Sequence, residues 1–163
     1  MLEPPRFDLT QMNPELYRHL MQMEVLIGRN VEPTLYHLIK LRASQINGCA
    51  FCLHMHTDQA LHHGERPERI VALDAWEESP LYSDKERAAL RWTEELTLIG
   101  ETGASREAYD ELKPHFNDEE IGWLIFAAVQ INSWNRIAIS SRSQYDPAMF
   151  AGGQAKQKTP EPA

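Results

Sequence analysis

Residues 38–60 read LIKLRASQINGCAFCLHMHTDQA, and their pattern indicates two helices joined by a turn. Apolar residues recur at helical spacing up to the Asn-Gly pair at 47–48, which is a turn signal. Helical residues then continue to about His63. The chain's two cysteines, Cys49 and Cys52, follow directly after the turn. We therefore predict a helical hairpin with a Cys-x-x-Cys pair at the start of its second helix.

Helical signals recur along the rest of the chain, whereas strand signals do not. Capping residues, proline positions and apolar periodicity place the first helix of the hairpin at about residues 32–46 and predict five further helices at about residues 13–27, 67–76, 83–99, 105–113 and 117–140. The last of these is apolar almost all round, as expected of a helix in the core or in a subunit interface. The predicted fold is therefore all-α, with about seven helices in a single domain over residues 1–146. Residues 147–163 are polar and rich in glycine and proline, which predicts a flexible tail.

Composition excludes several classes of protein. The chain has 163 residues and a formal net charge of -8, so an acidic surface disfavours nucleic acid or an anionic membrane as a partner. The N-terminus lacks the basic and apolar regions of a secretory signal. The longest apolar run, residues 121–129, is too short to span a bilayer. We expect a cytoplasmic protein, in which two neighbouring thiols are more typical of redox, catalytic or metal chemistry than of a permanent disulfide.

The cysteine pair has a histidine on the same helical face. At about 100° per residue, Cys49, Cys52 and His56 lie within about 60° of one another, and His63 lies on that face two turns later. His54 points about 140° away. A helix N-terminus and a nearby imidazole both favour the thiolate, which attacks peroxides and becomes a sulfenic acid. A second thiol then forms a disulfide, and an external dithiol restores the pair.

Other interpretations of the pair are open from these residues alone. Two neighbouring cysteines on a helix are often buried structural residues. A zinc site built from both cysteines and a histidine would lack a fourth ligand. A thioredoxin-type motif should follow a strand, and this one follows a helix. The chain has no glycine motif for a phosphate or dinucleotide, and we expect neither a cofactor nor a metal.

The residues around the pair resemble a known family. Residues 38–60, together with residues 72–99 and 131–139, closely resemble the alkylhydroperoxidase D (AhpD)-like proteins of the carboxymuconolactone decarboxylase superfamily. The resemblance extends over roughly residues 13–142. It implies an all-α AhpD-like fold with the Cys-x-x-Cys at the N-terminus of a core helix. It also implies an antioxidant peroxidase that uses a thiol or dithiol reductant, and a homo-oligomer such as a trimer or hexamer.

The same resemblance implies roles for individual residues. Cys52 is the thiol that attacks the peroxide, Cys49 is the resolving thiol, and His56 is the histidine of the proton relay. The helix dipole alone would favour Cys49 as the attacking thiol. The chain departs from the family at position 37, where a glutamate is expected twelve residues before the first cysteine and His37 stands instead. A neutral imidazole supplies no negative charge, so His37 would give a weaker or pH-shifted relay.

Two other functions follow from the same features. A muconolactone-type decarboxylase is suggested by the superfamily name, although such members generally lack the cysteine pair. A non-catalytic or weakly active redox-sensing oligomer is suggested by the change from glutamate to His37. If His37 has no part in the relay, we expect it to be a histidine on the helix surface or in an interface. Residues 134–136 are expected to support the core or an interface.

Overall fold

The computed structural model describes residues 3–146, and within that range all regular structure is helical. The all-α prediction is therefore confirmed. The α-helices in chain order are α1 (Leu9–Met12), α2 (Pro14–Gly28), α3 (Pro33–Asn47), α4 (Ala50–His62), α5 (Pro67–Ala72), α6 (Asp84–Thr97), α7 (Ile99–Thr102), α8 (Arg106–Leu112) and α9 (Asp118–Ser141). A 3-10 turn, Leu73–Ala75, follows α5. The predicted tail over residues 147–163 lies outside the described residues.

Local chemistry sets where the main helices begin. The helices α2, α3 and α5 each start with a proline, whose missing N–H costs nothing in the first turn. Two others start with a capping box. At α6, Ser83 N–H donates to Glu86 Oε2 at 2.8 Å, and Ser83 Oγ accepts from Glu86 N–H. At α9, Asn117 and Glu120 make the same exchange. These caps satisfy N–H groups that have no partner inside the helix.

The structure adds detail that the sequence pattern lacked. The helix predicted over residues 67–76 divides into α5 and the 3-10 turn. The helix predicted over residues 83–99 ends at Thr97, because Leu98 departs from helical geometry with φ -101° and ψ 30°. The single-turn helices α1 and α7 were not predicted, since four residues are too few to show a helical period. No helix in residues 3–146 is long and apolar enough to cross a membrane.

Helix α3 lies at the centre of the molecule and packs against α4, α6 and α9. Its apolar residues Leu35, Leu38 and Ile39 are buried in the two main core clusters. Three polar residues of α3 are also buried: His37, Lys40 and Ser44. A central helix that buries polar groups must give them polar partners or use them chemically, because each carries a desolvation cost. These three residues therefore define one wall of the candidate site.

The turn between α3 and α4 places the cysteine pair. Gly48 caps α3 in the left-handed conformation, with φ 67° and ψ 33°, which glycine adopts without strain. The Cys49 N–H then donates to Ser44 O at 3.0 Å. This geometry puts Cys49 at the N-cap of α4 and Cys52 in the first turn of that helix.

Candidate active site

The two thiols are free and buried together, each side chain only 1% exposed. The Sγ of Cys49 accepts a hydrogen bond from the backbone N–H of Cys52 at 3.4 Å. Ala138 of α9 packs against both cysteines, and Phe51 covers them from α4. The pair thus lies where the α3–α4 turn meets the last helix.

The contact between the thiols makes them unequal. A hydrogen bond from the Cys52 thiol is the main cause that lowers the pKa of Cys49 to about 7. The Cys52 backbone N–H and Asn135 lower this pKa further, and burial opposes them. The pKa of Cys52 is raised by its bond to Cys49, by burial and by the charge on Cys49. The helix dipole also favours an anion at the N-cap, so Cys49 carries the charge of the pair and Cys52 keeps its proton.

His56 lies deep on α4, only 2% exposed, and its Nδ1 is 3.0 Å from Gln59 Oε1. An amide oxygen can only accept, so Nδ1 carries the hydrogen and Nε2 carries the lone pair. Burial and the charge of Lys40 lower the pKa of His56 to about 3, against a smaller opposing effect of the Gln59 bond. The buried Nε2 has no hydrogen-bond partner among the described residues. His56 is therefore a neutral base, and its Nε2 lone pair is not bonded to either thiol.

His37 is buried on α3, where its neighbour is His63. Burial, Lys40 and His63 lower its pKa to about 4, while Glu32 acts in the opposite direction. Its ring is tilted against that of His63, with centroids 4.8 Å apart. The charge of His37 also lowers the pKa of His56, so the two imidazoles interact electrostatically. However, His37 Nδ1 has no partner in the described chain, so hydrogen bonds do not link the predicted relay.

The sequence did not predict the ion pair beside these histidines. Lys40 is buried one turn after His37, and its Nζ is 3.3 Å from Glu24 Oε1 of α2. The other Glu24 oxygen accepts from Trp134 Nε1 at 3.1 Å. Where the resemblance implies a carboxylate next to the relay histidine, this site has a lysine whose carboxylate partner comes from another helix. Its signal in the sequence was the three-residue spacing from His37 to Lys40, which brings side chains together on a helix.

Asn135 of α9 was expected to support the core or an interface, and in the structure it bonds to Asn47 and Ser44 at the end of α3. The side chain has no exposed surface. Its Oδ1 accepts from Asn47 Nδ2 at 2.9 Å, and its Nδ2 donates to Ser44 Oγ at 3.0 Å. A hydrogen bond from Asn135 also lowers the pKa of both thiols. No signal in the sequence set Asn135 apart from the neighbouring polar residues Asn132, Ser133 and Arg136.

His54 lies outside this arrangement, and His63 reaches it only through His37. The His54 ring packs near the Tyr145 ring, with centroids 5.6 Å apart. His63 is exposed at the end of α4 and bonds through Nδ1 to Gln59 O at 2.8 Å, although its ring meets His37. Within residues 3–146, no three His, Cys, Asp or Glu side chains are grouped to hold a metal ion.

Comparisons with known proteins agree with this architecture. The carboxymuconolactone decarboxylase family model matches residues 14–95, half of the chain. The uncharacterized protein YdfG of Bacillus subtilis (strain 168) is 40% identical over 136 residues, which cover 83% of this chain and 92% of YdfG. A solved protein of unknown function from Agrobacterium tumefaciens, proposed as the antioxidant defence protein AhpD, has a TM-score of 0.85 and 42% identity. That alignment covers 88% of this chain and 99% of the other.

The debrominase Bmp8 shares the fold at 21% identity, with a TM-score of 0.73 over 87% of this chain and 77% of Bmp8. The helical core and its Cys-x-x-Cys thus define an AhpD-like protein. The chain belongs to the carboxymuconolactone decarboxylase family. Membership supports a peroxidase-related or decarboxylase-like function in general.

Proposed function

We propose that the protein is a thiol-dependent peroxidase that reduces small alkyl hydroperoxides or hydrogen peroxide through a Cys49–Cys52 dithiol-disulfide cycle. The observation that carries this proposal is the burial of Cys49 and Cys52 in one cluster at the start of α4, where the Cys52 backbone N–H donates to Cys49 Sγ. A thiol with a pKa of about 7 is roughly half ionised at neutral pH, and the thiolate is the nucleophile. The second thiol is already in contact, so no large motion is needed to form a disulfide.

The cycle has two steps within the protein. The Cys49 thiolate attacks one peroxide oxygen; an S–O bond forms, the O–O bond breaks, and the leaving alkoxide or hydroxide takes a proton from water. Cys49 becomes a sulfenic acid while the peroxide is reduced to an alcohol or water. The Cys52 sulfur then attacks the Cys49 sulfur, an S–S bond replaces the S–O bond, and the hydroxide leaves as water with the Cys52 proton. A thiol or dithiol reductant returns two electrons and two protons by exchange.

This order reverses the roles that the family resemblance implied. Cys49 accepts hydrogen bonds from the Cys52 thiol and backbone, and these bonds favour its charged form. Cys52 keeps its proton and is the better donor in the resting pair. Cys49 is therefore the attacking thiol in this proposal, and Cys52 is the resolving one.

The proposed role of His56 is to pass the proton that Cys52 loses during disulfide formation to the hydroxide that leaves Cys49 as water. Its Nε2 lone pair is free in the described structure, and Gln59 holds the opposite ring nitrogen. The lowered pKa keeps the imidazole neutral with its lone pair available, and it means that His56 passes the proton on to the hydroxide and does not hold it. Lys40 acts on His56 through its charge, and His37 is neutral in the resting state, so the proposed link from α3 to His56 is the charge of Lys40.

The cover over the thiols supports small substrates. Phe51 packs directly on the pair, and the Tyr145 ring meets the Phe51 ring edge-on with centroids 6.2 Å apart. The Tyr145 hydroxyl donates to Asp58 Oδ2 at 2.8 Å. A thiol enclosed in this way favours hydrogen peroxide and short hydroperoxides over bulky ones. The proposed location is the cytoplasm, where a reducing environment keeps such thiols free.

Self-association is part of the proposal. Apolar side chains are exposed along α2 and α9: Leu16, Val25, Leu26, Phe126 and Val129. Exposed apolar side chains grouped on packed helices are typical of an interaction surface. A homo-oligomer, with a trimer or hexamer implied by the resemblance, would cover them.

The test is peroxide consumption with dithiothreitol as the reductant probe. Cys49→Ser and Cys52→Ser should each reduce turnover at least about 100-fold, since both steps are needed. Wild-type turnover in both variants would overturn the peroxidase. The exposed Ser140→Ala variant serves as the control and should match wild type.

Trapping separates the two thiols. In Cys52→Ser, one equivalent of peroxide should leave a sulfenic acid on Cys49, which dimedone captures and mass spectrometry locates. Equally fast labelling of Cys52 in Cys49→Ser would overturn the order while leaving the peroxidase intact. Stoichiometric oxidation of the wild type without turnover would identify a redox sensor, and turnover of γ-carboxymuconolactone would identify a decarboxylase.

A further inference from the structure

We propose that Tyr145 is a specificity-determining residue, whose ring is held by a hydrogen bond to Asp58, keeps Phe51 over the thiol pair and excludes molecules that carry a bulky group. This inference deepens the proposed function, because it names the residue that limits substrate size, and it rests on that function for its catalytic meaning. The thiol reactivity that it predicts can be measured without any peroxide.

The end of α9 brings Tyr145 to the thiols. Arg142 ends that helix in the left-handed conformation, with φ 55° and ψ 44°. The Ser143 N–H donates back to Ala138 O at 2.9 Å, which closes the last turn of the helix. The C-terminal strap, residues 142–146, then leads from α9 to the outer face of α4. The strap is also tied to the start of the chain, where Arg142 Nη1 lies 2.8 Å from Glu3 Oε2.

Phe51 and Tyr145 form successive layers of the cover. Cys49 and Cys52 are each 1% exposed, and half-buried Phe51 packs against them from α4. The Tyr145 ring meets the Phe51 ring edge-on, with centroids 6.2 Å apart. Phe51 therefore covers the sulfurs, and Tyr145 restrains Phe51.

Contacts along one face of α4 hold the Tyr145 ring in place. Phe51 and Asp58 are seven residues apart on this helix, so they share a face two turns apart. The Tyr145 hydroxyl donates to Asp58 Oδ2 at 2.8 Å, and a bond to a carboxylate is stronger than one between neutral groups. The His54 ring lies beside the Tyr145 ring, with centroids 5.6 Å apart. Tyr145 thus spans both turns of the face that begins at the thiols.

This arrangement discriminates by size. A rotation of the Phe51 side chain within the closed cover makes room for a molecule as small as hydrogen peroxide. A reagent with an aromatic ring needs the space that Tyr145 occupies, so it must wait until the strap opens. Opening breaks the hydrogen bond to Asp58, and the strength of that bond sets how often the strap is open.

The experiment compares two reagents that react with thiols by the same disulfide exchange and differ in size. Methyl methanethiosulfonate is small, and dithiodipyridine carries aromatic rings. Tyr145→Phe keeps the ring but removes the hydrogen bond to Asp58, which should raise the open population about tenfold. The rate with dithiodipyridine should rise about tenfold, because a buried thiol reacts with it in proportion to that population. The rate with methyl methanethiosulfonate should change less than about twofold.

Two further variants complete the comparison. Asp58→Ala removes the acceptor from the side of α4 and should accelerate the same reagent selectively, so the test does not depend on one variant folding. Tyr109→Phe is the matched control, since Tyr109 packs on Trp92 in a core cluster without the cysteines. It should match wild type with both reagents. Circular dichroism verifies that each variant is folded.

The outcomes separate the role of Tyr145 from the proposed function. Equal acceleration of both reagents, or no acceleration of dithiodipyridine, in a folded Tyr145→Phe or Asp58→Ala protein overturns the role of Tyr145. In the peroxidase assay, Tyr145→Phe should raise kcat/KM for cumene hydroperoxide relative to hydrogen peroxide by about tenfold. Selective acceleration of dithiodipyridine in proteins that turn over neither peroxide would overturn the proposed function alone.

Discussion

Two buried neutral histidines should make the stability of this fold depend on pH. The pKa of His37 is lowered to about 4 and that of His56 to about 3, chiefly by burial. In the unfolded chain a histidine has a pKa of about 6.5. At pH 5 the unfolded state therefore binds two protons that the folded state excludes. Stability should be fully present above about pH 6.5 and should fall as the pH drops toward the folded values.

The magnitude follows from linkage. About pH 5 is about 1.5 units below the pKa of a histidine in the unfolded chain. Protonation of each histidine on unfolding therefore favours the unfolded state by about 2 kcal/mol. His37 and His56 together should cost about 4 kcal/mol between pH 8 and pH 5. The result depends little on the exact folded values, since both lie well below pH 5. Carboxylates with lowered pKa, such as Glu86, lose their contribution only below the ordinary value of 4.5.

The assay is urea unfolding followed by tryptophan fluorescence at several pH values and one fixed protein concentration. His56→Gln removes one of the two titrating groups and should reduce the loss to about 2 kcal/mol. The exposed His19→Gln, which breaks only a contact with Gln22, is the control and should behave as wild type. A loss below about 1 kcal/mol in the wild type would refute the neutral burial of the two histidines.

Two further substitutions test the buried ion pairs of Arg69 and the turn at Gly48. Arg69→Ala should destabilise the fold by about 3 kcal/mol in urea unfolding, because it leaves the carboxylates of Glu65 and Glu86 without their shared partner. The exposed Arg106→Ala should leave the urea midpoint unchanged, and equal effects would contradict the argument. Gly48→Ala forces a side chain into left-handed backbone and should cost about 1–2 kcal/mol by thermal unfolding. An unchanged melting temperature would show that the α3–α4 turn does not require glycine.

Helix positions were predictable where local chemistry decides them. The start of α6 follows from Ser83 and Glu86, two residues that satisfy each other's backbone N–H. The end of α3 follows from Gly48. By contrast, α1 and α7 are single turns whose formation depends on packing, so no periodic signal announces them.

The candidate site was also predictable only where its residues lie on one helix. Cys49, Cys52 and His56 belong to one helix, so their common face could be calculated from helical geometry. Lys40 and Asn135 reach the site from other helices, and a single-sequence pattern does not show which residues of different helices meet. The charge preference for Cys49 agrees in direction with the simple dipole argument, but the main cause of its lowered pKa is the hydrogen bond from the Cys52 thiol.

The docking of α9 has a consequence for synthesis of the protein. Asn135 contacts Asn47 across 88 residues of sequence, and Ala138 closes over the cysteines from the same helix. A growing chain exposes its N-terminal part first, so Cys49 and Cys52 emerge before the helix that buries them exists. Until that last helix docks, the two sulfurs are open to any oxidant or misplaced thiol. A nascent or truncated chain that ends before α9 should therefore be the form most vulnerable to oxidation.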